Sequence, residues 1–396
     1  MRLAATYISA LFLMALLCTT AHAATWELKT VPLPEKSSEG ELRAVSCTST
    51  SFCAAVGDSW NGAIWGADGA EWKEGSWLAA KIEANPKPGT KNGDLLGVSC
   101  WKAMKCRAVG TYGLEEKGEG LGRSLVEGRN SEGAWEKIPS PYPASGKDDE
   151  FLGISCPTGE SCLATGWYIN GEGLGAIFAS EWETEKWGLL SPIANPGNRG
   201  GGNLAGVSCI EAGVCVAAGG WGRESEGKVI SQAGSETWQS EGKKWAAVEA
   251  EEPLTAKLAW FNGISCTSAT FCMAVGGWNE GAGGAFALAD VWNGTKWTVV
   301  LSSGGPPGAK SGVFTAVSCI AEECHAVGGA TNSEGKEVTL SYLWKAKKWE
   351  FQTTPNPAGA KASFLKGVSC TASEVCTAVG GYKNSSNVLL PLAEVL

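Results

Sequence analysis

The sequence predicts an all-β fold, a seven-bladed β-propeller of four-stranded antiparallel blades closed by the N-terminal strand, and three observations predict it. Seven copies of one motif, the first "VSCTSTSFCAAVG", begin their cysteine pairs at Cys47, Cys100, Cys156, Cys209, Cys266, Cys319 and Cys370, a period of roughly 54 residues, in the range where repeats mean propellers or solenoids. Each of the first six copies leads into a segment with the marks of a further strand pair, most often a tryptophan-rich hairpin, which gives four short strands per repeat. The last copy ends at "LLPLAEVL", one strand short, while "ATWELKTVPLP" near the N-terminus resembles the missing strand, with Trp26 in the place of Trp297.

From the N-terminus, residues 1–23 place Arg2 before an apolar stretch and then Ala21-His22-Ala23, the layout of a cleavable signal peptide. Residues 24–396 are then expected to form a single propeller domain of a secreted, extracellular protein. The apolar run falls short of the roughly 20 residues a membrane span needs, and no later segment resembles one. Cys18 follows Leu16-Leu17; a lipoprotein site would need a small residue in place of Leu17, so lipidation is not expected. Without the leader, 14 of the 15 cysteines remain, as seven pairs, which suits an oxidising compartment. The formal charge becomes −10, from 31 Lys+Arg against 41 Asp+Glu once Arg2 is removed. That balance offers no basic field for nucleic acid. With 44% hydrophobic residues, 54 Gly and 19 Trp, the chain reads as globular and rich in turns and aromatics, not disordered.

Within a repeat, the first strand ends in Ser-Cys. Neither of its faces is polar: in "FNGISC", strict alternation puts Phe261, Gly263 and Ser265 on one face and Asn262, Ile264 and Cys266 on the other. Both faces are therefore expected to be covered, as they are where four-stranded units stack around an axis. Ala44, Gly97, Gly153, Gly206, Gly263, Ala316 and Gly367, three residues before each first cysteine, suit the innermost strand, where chains crowd the axis. The serine before that cysteine, from Ser46 to Ser369, either lines a channel or bonds to a neighbouring blade; buried hydroxyls need partners, which favours the second. The hairpins are clearest in "ALADVWNGTKWTVV", where Trp292 and Trp297 flank Asn293-Gly294, a dipeptide favoured in tight hairpin turns. Trp72 with Trp77, Trp182 with Trp187, Trp238 with Trp245 and Trp344 with Trp349 repeat the pattern.

Facing positions on antiparallel strands lie close enough for a disulfide. The expected bridges are Cys47–Cys53, Cys100–Cys106, Cys156–Cys162, Cys209–Cys215, Cys266–Cys272, Cys319–Cys324 and Cys370–Cys376. Each closes a short loop, worth about 2 to 2.5 kcal/mol in the chain-entropy model. Zinc sites gather four ligands at one point, which seven separate pairs do not, and no Cys-x-x-Cys redox motif occurs.

Little chemistry remains. The one histidine after the leader, His325, stands at a position occupied elsewhere by Ala54, Arg107, Leu163, Val216, Met273 and Thr377, as an ordinary strand side chain would. No cofactor and no metal are expected. Two acidic loops, "GLEEKGEG" with Glu115, Glu116 and Glu119 and "GKDDEF" with Asp148, Asp149 and Glu150, could supply a catalytic carboxylate pair, or are simply solvated charge. A more regular signal is aromatic: Trp60, Tyr112, Trp167 with Tyr168, Trp221, Trp278 and Tyr382 follow the second strand in every repeat but the sixth, which has Ala330. These rings either form a ligand-binding rim beside the long loops or pack against the next blade.

The repeat as a whole, Gly-Val-Ser-Cys, five residues, Cys-x-Ala-Val-Gly, then Leu-Ala-x-x-Trp-Asn-Gly-x-x-Trp, resembles those of uncharacterised secreted propellers of actinobacteria. The resemblance spans nearly all of the chain after the leader and implies the fold, with no activity attached. The hairpin also resembles the Asp-box of sialidase-type propellers, through Gly294 and Trp297 or Gly242 and Trp245, although the Ser and Asp of that box are absent. The expected function is that of a non-enzymatic binding or scaffold protein, a monomer that recognises a polysaccharide or a cell-surface protein through the aromatic rim. The alternatives are a carboxylate-dependent carbohydrate-active enzyme and a purely structural extracellular protein.

Overall fold

The computed structural model describes residues 25–80, 82, 92–116, 119–130, 132–144, 146–190, 201–225, 228–281, 283–303, 305–306 and 308–396; the leader and lipidation readings fall outside them. Every regular element among these residues is a β-strand, and no helix is long and apolar enough to cross a membrane. The strands form five four-stranded antiparallel sheets and one eight-stranded sheet, whose two halves are joined by a single parallel pair, Glu337 with Ala362. Each repeat thus contributes one four-stranded unit, in a propeller-like arrangement.

The seventh unit takes its fourth strand from the other end of the chain. Glu27–Lys29 runs antiparallel to Leu389–Val395, with Glu27 opposite Val395 and Lys29 opposite Ala393. Trp26 is buried beside it, with its ring edge-on to His325 at 6.2 Å, and both Trp26 Nε1 and His325 Nδ1 lie within hydrogen-bonding range of Gln352 Oε1, at 3.3 and 3.2 Å. His325 is therefore a buried packing residue, and burial lowers its pKa.

All seven expected disulfides are present, with Cα atoms 3.9 to 4.1 Å apart. The five hairpin tryptophan pairs stand directly opposite one another, with ring centroids 5.0 to 5.7 Å apart. The motif serines bond between units. The amide N–H of each first cysteine donates to the serine Oγ of the preceding unit, at 2.9 to 3.0 Å, from Cys100 to Ser46 through to Cys370 to Ser318, and the series returns with Cys47 to Ser369.

Strict alternation along the inner strand does not hold. In all seven units the register slips four residues before the first cysteine, at Arg43, Leu96, Leu152, Ala205, Asn262, Thr315 and Lys366. One extra residue in a strand shifts every later side chain to the other face. Phe261 and Ile264 consequently share one apolar cluster with Ala274, although a regular pleat would separate them. The slip also explains the last residue of Cys-x-Ala-x-Gly. A Cβ on Gly57, Gly110, Gly166, Gly219, Gly276, Gly328 or Gly380 would stand 1.9 to 2.1 Å from a carbonyl oxygen of the inner strand, so no side chain fits. At the small-residue position, a Cβ on Gly97, Gly153, Gly206, Gly263 or Gly367 would meet the neighbouring inner strand's Cα at 2.9 to 3.3 Å.

Two predictions follow from burial. Trp26→Ala should lower the unfolding free energy by about 3 to 5 kcal/mol, as for a large core aromatic; an unchanged denaturant midpoint would show that the N-terminal strand does not latch the seventh unit. Five carboxyls buried in third strands titrate high: burial pushes Asp68 and Glu236 up to about 7 and Glu394 up to about 8, raises Glu181, and, aided by Glu251 and Glu252, holds Asp290 well above the usual carboxylate range. In the unfolded chain such groups ionise near about pH 4. Between there and about pH 8 the unfolded state gives up protons that the folded state keeps, so stability falls as pH rises. Tm should be higher at about pH 5 than at about pH 8, with a shallower slope in Glu394→Gln; a flat profile in both proteins would refute the assignment.

Candidate ligand site at the loop-bearing face

The residue two positions before each slip stands near the start of the unit's first strand. Around the seven units these residues are Glu41, Asp94, Glu150, Asn203, Trp260, Val313 and Phe364. Three consecutive units present carboxylates, and the fifth to seventh present apolar or aromatic groups. At the slip itself, four side chains reach the next unit. Lys366 Nζ pairs with Glu41 at 2.9 Å, Arg43 Nε with Asp94 at 2.9 Å, Asn262 Nδ2 donates to the Phe314 carbonyl at 2.7 Å, and Thr315 Oγ1 to the Leu365 carbonyl at 2.8 Å.

Arg43 is the hub of the charged half: it also pairs with Glu41 and Asp58, both at 3.0 Å. Asp94 is held well above the usual carboxylate range by burial, against the pull of Arg43 and with the push of Asp58, Glu41 and Glu150. Its Oδ1 is buried with no hydrogen-bond partner among the described residues. Glu150 is also raised, by burial first, with the Trp167 indole and Arg43 opposing.

Beside this charged half, between the third, fourth and fifth units, lies a cavity of about 500 Å³. Its walls carry the indoles of Trp167, Trp221 and Trp260, the amides of Asn203 and Asn262, and Ser231. The fourth unit's long hairpin, Val214–Ser225 with Lys228–Gln239, supplies Gly222 and Ile230 to one side. Trp221 lies flat over Gly234, where a Cβ would stand 2.1 Å from the ring. On the other side, Asn170 Oδ1 accepts the N–H groups of Glu172 and Leu174 at 3.0 Å, which fixes the loop leading to Gly175.

The structure divides the aromatic set. All its members lie at the loop-bearing end of their second strands, but only Trp167 and Trp221 meet in one cavity. Trp278, packed on Phe286 at 5.2 Å, and Trp221, packed over Gly234, are both buried core residues, which corrects the expectation that they offer a face to a ligand; of the two, Trp221 reaches the cavity wall, where the half-buried rings are Trp167 and Trp260. Tyr112 is buried, lines a separate cavity with Arg43, Asp58 and Asp94, and lies under Lys137 at 4.0 Å. Trp60 packs on Trp65 at 5.9 Å, Tyr168 edge-on to Phe178 at 6.0 Å, and Tyr382 lines a cavity beside the N-terminal strand. Trp260, Asn203 and Asn262 escaped sequence reading because they sit on the inner strand, where the motif looked purely structural.

Among the described residues, Asp148, Asp149 and Glu150 turn to separate partners. Asp149 is buried in an ion pair with Arg123 at 3.0 Å and accepts the Ser124 N–H at 2.7 Å, and Asp148 accepts the Gly122 N–H at 2.6 Å. Glu150 points elsewhere, to the Trp167 Nε1 at 3.0 Å. The backbone of Glu115 and Glu116 ends the strand Lys105–Glu116, while their side chains lie outside the described residues. His325 stands close to Cys370 and Cys376, but these two sulfurs are bonded to each other, so they are not thiolate ligands.

No protein-family model matches the sequence, and no curated protein sequence matches it. Among solved structures the chain is similar to the Hadza microbial sialidase Hz136, at 11% identity and a TM-score of 0.49, over 74% of this chain and 63% of the sialidase. It thus spans less than two thirds of that protein's length. It is also similar to a protein of unknown function from Dyadobacter fermentans, at 9% identity and a TM-score of 0.52, over 93% of this chain and 97% of that one. That likeness is one of fold alone.

The charged hub is testable without a ligand. Arg43→Met should destabilise the protein by about 3 kcal/mol, because it strands partly buried carboxylates, and adding Asp94→Asn should recover part of the loss. A double mutant no more stable than Arg43→Met would show that the two side chains are not coupled.

Proposed function

We propose that the chain is an exported, closed seven-bladed propeller whose loop-bearing face binds a polysaccharide without cleaving it. Closure is supported by the serine bond that returns from the seventh unit to the first and by the strand shared between the chain's two ends. Export is supported by seven disulfides, which persist in oxidising compartments.

The observation that carries the binding reading is the cavity between units three and five. Its volume is in the range of small-molecule sites, roughly 300 to 1,000 Å³, and its chemistry is indole, amide and hydroxyl. A sugar ring offers apolar C–H faces for stacking on tryptophan and an edge of hydroxyls for amide donors and acceptors. Of the carboxylates considered for catalysis, Asp148, Asp149 and Glu150 are each engaged in a separate bond.

Titrating the oxidised protein with cell-wall and plant polysaccharides, with tryptophan fluorescence and released reducing ends followed together, tests this reading. Binding without release is expected, with affinity reduced at least about tenfold in Trp167→Ala or Trp260→Ala and unchanged in Trp60→Ala, which lies in the first unit away from the cavity. Release of reducing ends would overturn the non-enzymatic reading. Silence with every glycan would overturn the polysaccharide.

A further inference from the structure

The cavity's aromatic wall is tied to the charged half of the inner-strand ring through one residue. Trp167 lines the cavity, and its Nε1 donates to Glu150 Oε2 at 3.0 Å. Glu150 and Asn203 occupy equivalent positions in adjacent units, and Asn203 lines the cavity too. Behind Glu150 stand Asp94, Asp58 and Glu41, with Arg43 and Lys366 as the cations paired to this group. Four carboxylates thus share two cations. The fully buried Asp94 Oδ1 receives no donor from the described residues, and Glu150 receives a hydrogen bond only from a neutral indole among them.

Glu150 does not itself line the cavity but adjoins its wall through Trp167, and the surroundings of this edge are short of positive charge. A hydroxyl or an acetamido group placed there would leave the deficit in place. An ammonium group would correct it through a charge-assisted hydrogen bond, roughly twice as strong as a neutral one, with the Trp167 ring supplying a cation–π face. An anionic sugar would meet repulsion at the same place. We propose that the cavity selects saccharides bearing a free primary amine, with the ammonium against Glu150 and the sugar ring between the tryptophans. The selection rests on the polysaccharide reading above and deepens it.

A matched pair of oligosaccharides tests the selection: the β-1,4-linked glucosamine hexamer and its fully N-acetylated counterpart, titrated calorimetrically into the oxidised full chain near neutral pH and at physiological salt. The amine form is expected to bind at least about tenfold more tightly. Glu150→Gln, which keeps an acceptor for the Trp167 N–H, should remove that preference. Asp94→Asn, set behind Glu150, should reduce the preference only in part. Equal wild-type affinity for the two hexamers would overturn the amine selection and leave polysaccharide binding standing, whereas no binding of either hexamer or any other glycan would overturn both. A preference that survives in Glu150→Gln would overturn the assignment to this carboxylate. An oligolysine peptide that binds as tightly as the glucosamine hexamer would show that charge alone is read, and would overturn the saccharide.

Discussion

The structure depends on one hydrogen bond made seven times, from the backbone N–H of a cysteine to the side-chain oxygen of a serine in the unit before it. Apart from the single pair Glu337 with Ala362, the first strand of a unit has a ladder partner on one side only. Its other edge would leave amide groups with no strand to pair, and a buried unpaired N–H costs about 1 to 3 kcal/mol. The serine hydroxyl supplies the missing acceptor and fixes the height of each unit against the next. The same serine belongs to the dipeptide that starts the disulfide, so the covalent staple within a unit and the polar joint between units share two adjacent residues.

The register slip is the second constraint, and the candidate site grows from it. An inner strand in regular pleat would point alternate side chains alike in all units. The extra residue frees one side chain per unit from the ladder, and this position carries Arg43, Asn262, Thr315 and Lys366, which reach sideways to the next unit. The backbone geometry is uniform, enforced by a glycine that admits no Cβ. The side chains at the slip and two residues before it are not uniform, and their differences divide the face into a carboxylate half and an aromatic half. A repeated scaffold thus holds a single asymmetric site.

Buried acids set the character of the molecule beyond that site. Glu236, Asp290 and Glu394 lie in third strands, where burial favours the neutral acid, and Asp94 shows the same preference on the inner ring.

The sequence by itself determined the repeat number, the cysteine pairing, the hairpin tryptophan pairs and the strand lent by the N-terminus. Each is either a local pairing across a short turn or a pattern repeated at fixed spacing, so neighbouring residues suffice to specify it. Only the tertiary structure decided which aromatics are available. Trp167, Trp221 and Trp278 occupy the same place in the motif, yet Trp167 is half-buried at a cavity wall while Trp221 and Trp278 are buried in the core, because the adjoining loops and the next unit's first strand differ. It also decided the fates of Asp148, Asp149 and Glu150. These are adjacent in the chain, but the first two turn to the second unit and the third to Trp167. Side chains on an extended chain diverge, and which partner each meets is fixed by strands 17 to 26 residues away that pairing within a unit or the packing of one unit on the next brings alongside.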